Sequence, residues 1–144
     1  MNKELGKLLK TYNEHIAKSF VTPFTVSVMT KQRKALYDGK KFKREDILKE
    51  SEGYLKYIKC AMLKPSCCFE ELLFYIVETH KVLEDVENSV KEEVLNMEES
   101  VLNDLWLVYK KNPHKFGYKI KHVKNALEDI NKEKEALSGD GKVV

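Results

Sequence analysis

Apolar residues recur at spacings of three and four along most of this chain, and that period favours helices over any other element. Leu5, Leu8, Leu9, Tyr12, Ile16 and Phe20 form the first stripe, which predicts an amphipathic helix over about residues 2–19. Ile47, Leu48, Tyr54, Leu55, Ile58 and Met62 form the next, from a start near Arg44 to a stop at Pro65, with Gly53 weakening its middle. Phe69, Leu72, Leu73, Ile76, His80 and Leu83 predict an acidic central helix over 67–87, capped by Ser66. Val94, Leu95, Val101, Leu102, Leu105, Trp106 and Tyr109 carry one or two more, and Ser89 with Glu92 matches a capping box at their start. Asn112 and Pro113 then read as a cap and a first-turn proline, and Phe116, Ile120, Val123, Leu127 and Ile130 keep the period to about Ala136. Around Phe116–Lys121 the residues also alternate as in a strand, but the alternation is short and the helical period outlasts it.

One stretch breaks the pattern. Pro23 reads as a helix stop, and Phe24, Val26 and Val28 alternate with Thr25 and Ser27. An extended connector is therefore expected near residues 20–30, followed by a short helix near 31–37 between Thr30 and Gly39. The expected fold is all-α: a single compact bundle of five to six helices over residues 1–137, with a flexible tail at 138–144. Six Gly and three Pro in 144 residues are too few for a strand-and-turn sandwich.

Charge is sorted along the chain. Residues 31–64 carry eleven Lys/Arg against five Asp/Glu, residues 66–109 carry two against eleven, and residues 110–124 carry six Lys and no acid. Aromatics are interleaved with the basic segments: Tyr37, Phe42, Tyr54 and Tyr57 in one, and Tyr109, Phe116 and Tyr118 at the other. Ammonium groups neutralise phosphates and release counterions, while an exposed ring stacks on an unpaired base. The candidate nucleic-acid-binding residues are therefore Lys110, Lys111, Lys115, Tyr118, Lys119, Lys121 and Lys124, then Arg33, Lys40, Lys41, Lys43 and Arg44. A helix N-terminus at Pro113 would add backbone donors. Arg33 and Arg44 are the only arginines, so bidentate reading of base edges is not expected.

Other chemistry is less well supported. Cys60, Cys67, Cys68 and His80 are soft ligands, but their spacing fits no zinc pattern, and free thiols packed as small hydrophobes are the simpler reading. His80 and Glu84 lie one turn apart, without a third group to complete a catalytic set. No catalytic, cofactor or metal site is expected. The odd cysteine count and the adjacent pair suggest a reducing compartment, the cytoplasm. The longest apolar run, residues 72–77, is far too short to span a membrane.

These readings converge on a non-enzymatic RNA-binding accessory factor of a ribonucleoprotein, most concretely a ribosome-associated factor occupying an rRNA site. The competing expectation is a helical protein–protein adaptor without nucleic-acid contact, docking through the acidic face or the Trp106 cluster.

Overall fold

The computed structural model describes residues 3–39, 42–64 and 86–140. All regular structure among them is helical, with no strand. Packing divides the chain into two compact units, residues 1–85 and 86–144. Residues 67–85 of the helix expected over 67–87 lie outside the described residues, as do Lys40, Lys41, Cys67, Cys68, His80 and residues 141–144. Among the described residues no helix is long and apolar enough to cross a membrane.

The first unit contains α1 (Lys3–Ala17), α2 (Pro23–Gly39) and α3 (Arg44–Met62). α1 packs on α3, and α2 packs on both. Leu5, Leu8 and Tyr12 of α1, Val26 and Met29 of α2, and Ile47, Tyr54, Ile58 and Met62 of α3 are buried. Each buried aliphatic side chain of this kind contributes about 1.5–3 kcal/mol. Gly53 belongs to the α1–α3 contact: a Cβ there would stand 2.7 Å from Leu9 Cδ2 and 3.4 Å from the Tyr12 ring. The small residue costs helix propensity and permits the close approach.

The expected extended segment is corrected here. Helix α2 begins at Pro23, and only Phe20–Thr22 separate it from the turn that ends α1. Thr22 is the cap. Thr25 N–H donates to Thr22 Oγ1 at 3.2 Å, and Thr22 N–H donates to Thr25 Oγ1 at 2.9 Å. This is a reciprocal capping box with threonine in both roles, and Pro23 occupies the first helical position, where its missing N–H costs nothing. Thr30 is consequently inside the helix and buried. Upstream, α1 closes with Ser19 at a left-handed φ of 57°. Phe20 N–H reaches His15 O at 2.9 Å and Ser19 N–H reaches Ile16 O at 3.2 Å, the two bonds of a Schellman motif. Lys64 Nζ donates to Val21 O at 2.5 Å, tying the end of α3 to this turn.

The second unit is a helical hairpin. α4 (Asn88–Lys111) runs unbroken, then come α5 (Pro113–Phe116), a 3-10 turn (Gly117–Lys119) and α6 (Ile120–Asp140). α4 packs along α6. Val90, Val94, Leu95, Leu102, Leu105 and Tyr109 on α4 and Val123, Ala126 and Ile130 on α6 are buried. The Ser89–Glu92 capping box does not form: the N-cap is Glu87, it makes no side-chain cap bond, and Ser89 lies within the first turn. Residues 116–121 are helical or 3-10, as the period suggests, but Gly117–Lys119 tighten the path. α6 continues through Ser138 to Asp140.

Candidate functional site

The two basic segments lie in different units and meet different fates. In the first unit Arg33 is only 1% exposed, so it cannot reach a phosphate at the surface. Its Nε contacts Glu50 Oε1 at 2.5 Å, and its guanidinium also donates to Ser51 Oγ at 3.2 Å. Glu50 accepts two further bonds, from Tyr12 OH at 2.9 Å and Tyr37 OH at 3.0 Å. Thr30 Oγ1 and Tyr54 OH share a bond at 2.5 Å. The Tyr54 ring lies 4.2 Å from the guanidinium carbon, and the Tyr37 ring lies 5.4 Å from it. All three helices thus contribute to one buried polar cluster.

Electrostatics follow from this geometry. Burial first, then the Glu50 carboxylate, raise the Tyr12 phenol well above its usual range, with Arg33 opposing. The same two causes raise Tyr37. Burial would weaken the Arg33 charge, but Glu50 and the surrounding phenols outweigh it and hold the guanidinium more firmly protonated than usual. Every buried side-chain nitrogen or oxygen among the described residues has a hydrogen-bond partner. A fully satisfied buried network is a structural device that orients helices. Lys43 and Arg44 remain exposed at the start of α3.

The second unit keeps most of its basic segment at the surface. Lys110, Lys111, Lys115, Lys121 and Lys124 are exposed around the corner that joins α4 to α6. Tyr118, at the centre of the 3-10 turn, is 64% exposed. No acid occurs between Asp104 and Glu128. Lys134 Nζ bonds Glu99 Oε2 at 3.0 Å, which fixes the antiparallel register of the hairpin. That bridge lies about 16 Å along α4 from Lys110. Of the acids of α4, only Asp104 lies in the half of the helix next to the corner, about 9 Å along the axis from Lys110.

Three residues of this segment behave otherwise than their sequence suggests. Lys119 is fully buried and cannot serve as a phosphate ligand. Phe116 is buried and stacks on Tyr109, with ring centroids 4.5 Å apart. Asn112 makes no side-chain cap bond to α5; its Nδ2 turns back and donates to Val108 O at 2.9 Å. With four residues, α5 offers no N-terminal phosphate site. Trp106 is half-buried beneath Lys110, whose Nζ lies 5.3 Å from the ring centroid.

Elsewhere the surface offers less. An open groove of about 450 Å³ between α1 and α2 takes its polar lining from Glu4, Lys7, Thr11 and Gln32, all surface or half-buried side chains. Cys60 is half-buried, and burial pushes its thiol up against the pull of Lys59 and Lys64, which leaves it a poor nucleophile. Among the described residues no group of His, Cys, Asp and Glu is placed to hold a metal ion. No protein-family model, curated protein or solved structure matches the chain.

Proposed function

We propose that this protein is a non-enzymatic RNA-binding accessory factor of a ribonucleoprotein, the ribosome being the most concrete case. The observation that carries the reading is the α4–α6 corner, where five exposed lysines flank an exposed tyrosine along an acid-free stretch of sequence. Phosphate neutralisation by lysine supplies affinity, and the ring supplies a sequence-tolerant stacking surface. The corner is a turn between helices and offers no long recognition helix for a DNA major groove. RNA loops and ends, whose bases are already unstacked, suit it better.

The test is fluorescence anisotropy with a labelled RNA stem-loop across a salt series. If all five exposed lysines engage phosphate, log K falls against log salt with a slope of about −3.5 on single-stranded segments. Replacing Lys115, Lys121 and Lys124 with Ala should bring it to about −1.4. These side chains are exposed, so the fold should be unaffected. Absence of binding at 50 mM salt, or an unaltered slope in the triple variant, overturns the proposal.

A protein-adaptor reading keeps one supporting observation, the apolar exposure of Leu107 (57%) beside Trp106. Pull-downs with and without ribonuclease separate the two: partners that survive digestion favour the adaptor.

A further inference from the structure

We infer that one end of the first unit docks on an anionic phospholipid bilayer, with Phe20 and Phe24 entering the boundary between headgroups and acyl chains. The inference is independent of the RNA reading, which rests on the other unit.

That end is where α1 stops, α2 starts and α3 stops. The bond from Lys64 Nζ to Val21 O holds the end of α3 against the α1–α2 turn, and the Tyr57 hydroxyl of α3 lies 3.4 Å from His15 Nδ1 in the last turn of α1. Six large apolar side chains stand exposed among the described residues, and four of them belong here: Phe20, Phe24, Val28 and Leu63. Local structure turns the two rings outward. With Thr22 as the cap, Val21 precedes it and Val26 is the fourth helical residue, the two positions of a hydrophobic staple. Both valines are buried, whereas Phe20 is 57% exposed and Phe24 is 77% exposed. Val28 follows Phe24 by one turn on the same face of α2, and exposed Lys31 extends that face.

The charge at this end has one sign. Lys18 is exposed and Lys64 is half-buried, and no acid occurs in residues 15–37 or 53–64. Glu14, one turn before Lys18 on α1, pairs with Lys10 at 3.9 Å. Single exposed apolar side chains are ordinary, but several together on a basic, acid-free end mark a docking surface. The chemistry selects the occupant. A second copy would set lysine against lysine. Rings that project from a turn need no groove of matching shape when the partner is a fluid interface. An anionic leaflet attracts the lysines, and the rings gain by leaving water. Association of this kind lies on the membrane and is reversible.

The experiment uses the full chain and phosphatidylcholine vesicles, with and without about 30% phosphatidylserine. Flotation should carry the wild type with the phosphatidylserine vesicles only, and rising salt should release it. Phe20→Ser combined with Phe24→Ser should weaken binding at least about 10-fold. The urea midpoint of that variant should match the wild type, because both rings are exposed in the free protein. Lys18→Ala combined with Lys31→Ala should weaken binding roughly 5- to 30-fold. Phe24→Trp adds an indole that brominated phosphatidylcholine should quench, while Trp106 of the wild type should keep its emission. Failure of the wild type to float with anionic vesicles overturns the inference and leaves an acidic protein face as the occupant. Wild-type binding by the double phenylalanine variant overturns it too. So does binding that Lys115→Ala, Lys121→Ala and Lys124→Ala together abolish while the phenylalanine variant retains it, since the vesicles would then be held by the α4–α6 corner. A urea midpoint in the phenylalanine variant lowered as by a core substitution, or a wild-type dimer that this variant dissolves, overturns it by showing the rings already covered.

Discussion

Replacing Arg33 with Met is the most direct perturbation of the first unit. The substitution preserves much of the side-chain length and removes the charge. Glu50 would then stay fully buried without the guanidinium 2.5 Å from its Oε1, keeping only the Tyr12 and Tyr37 hydroxyls as donors. Ser51 Oγ would lose its donor, and the Tyr54 face would lose a cation 4.2 Å away. Breaking a buried pair by removing one partner costs about 3–5 kcal/mol, chiefly for the stranded charge. In a unit of this size each kcal/mol lowers the melting temperature by roughly 4–8 °C, so a drop of at least about 12 °C is expected. Thermal and urea unfolding, followed by far-UV circular dichroism and by the near-UV tyrosine signal, measure it. Adding Glu50→Leu should restore part of the loss, because two apolar groups of similar volume leave no unpaired charge. Restoration should be incomplete, since the buried Tyr12 hydroxyl then lacks its acceptor, at a cost of about 1–3 kcal/mol. A loss under about 1 kcal/mol in the single variant, or a double variant less stable than the single, would refute the assignment of the cluster as a charge-compensated scaffold.

Two further outcomes follow from local geometry. Ser19→Gly should stabilise the protein by about 0.5–1 kcal/mol, because the left-handed backbone at φ 57° strains an L-residue and suits glycine; a urea midpoint that stays or falls contradicts this. Stability should also decline steeply above pH 10. Tyr12 and Tyr37 have raised pKa values in the folded state, so their contribution is complete below the unfolded value near 10 and is lost as pH climbs through the folded values. With two phenols withheld, the loss is about 2.7 kcal/mol per pH unit above the unfolded pKa. Absorbance at 295 nm against pH checks it: full ionisation of all seven tyrosines near pH 10 with circular dichroism still native would be the contrary result.

The sequence was legible where buried faces are apolar and opaque where they are polar. α1, α3 and α4 carry stripes of Leu, Ile, Val and Tyr, and a 3.6-residue period picks them out. The buried face of α2 is Val26, Met29, Thr30 and Arg33, half of it polar, so apolar periodicity fades. Three alternating residues then imitate a strand. The local signal that would have corrected this is Thr22-Pro23-x-Thr25, a cap, a first-turn proline and a partner at the third position. Ser89 misled in the other direction: its spacing to Glu92 fits a box, but the N-cap is Glu87, two residues earlier.

By itself the sequence determined the all-helical class and the acid-free lysine stretch around residues 110–124, because both depend only on residue type and spacing. Which charges face water was decided by tertiary structure alone. Arg33 and Lys119 look in sequence like their lysine neighbours, yet each is buried, Arg33 against Glu50 and tyrosine hydroxyls. Burying a charge is costly unless compensating groups surround it. Those groups come from other helices or from across a turn, and only packing brings them within reach. The same packing leaves Tyr118 and five lysines outside, and they define the surface proposed to meet RNA.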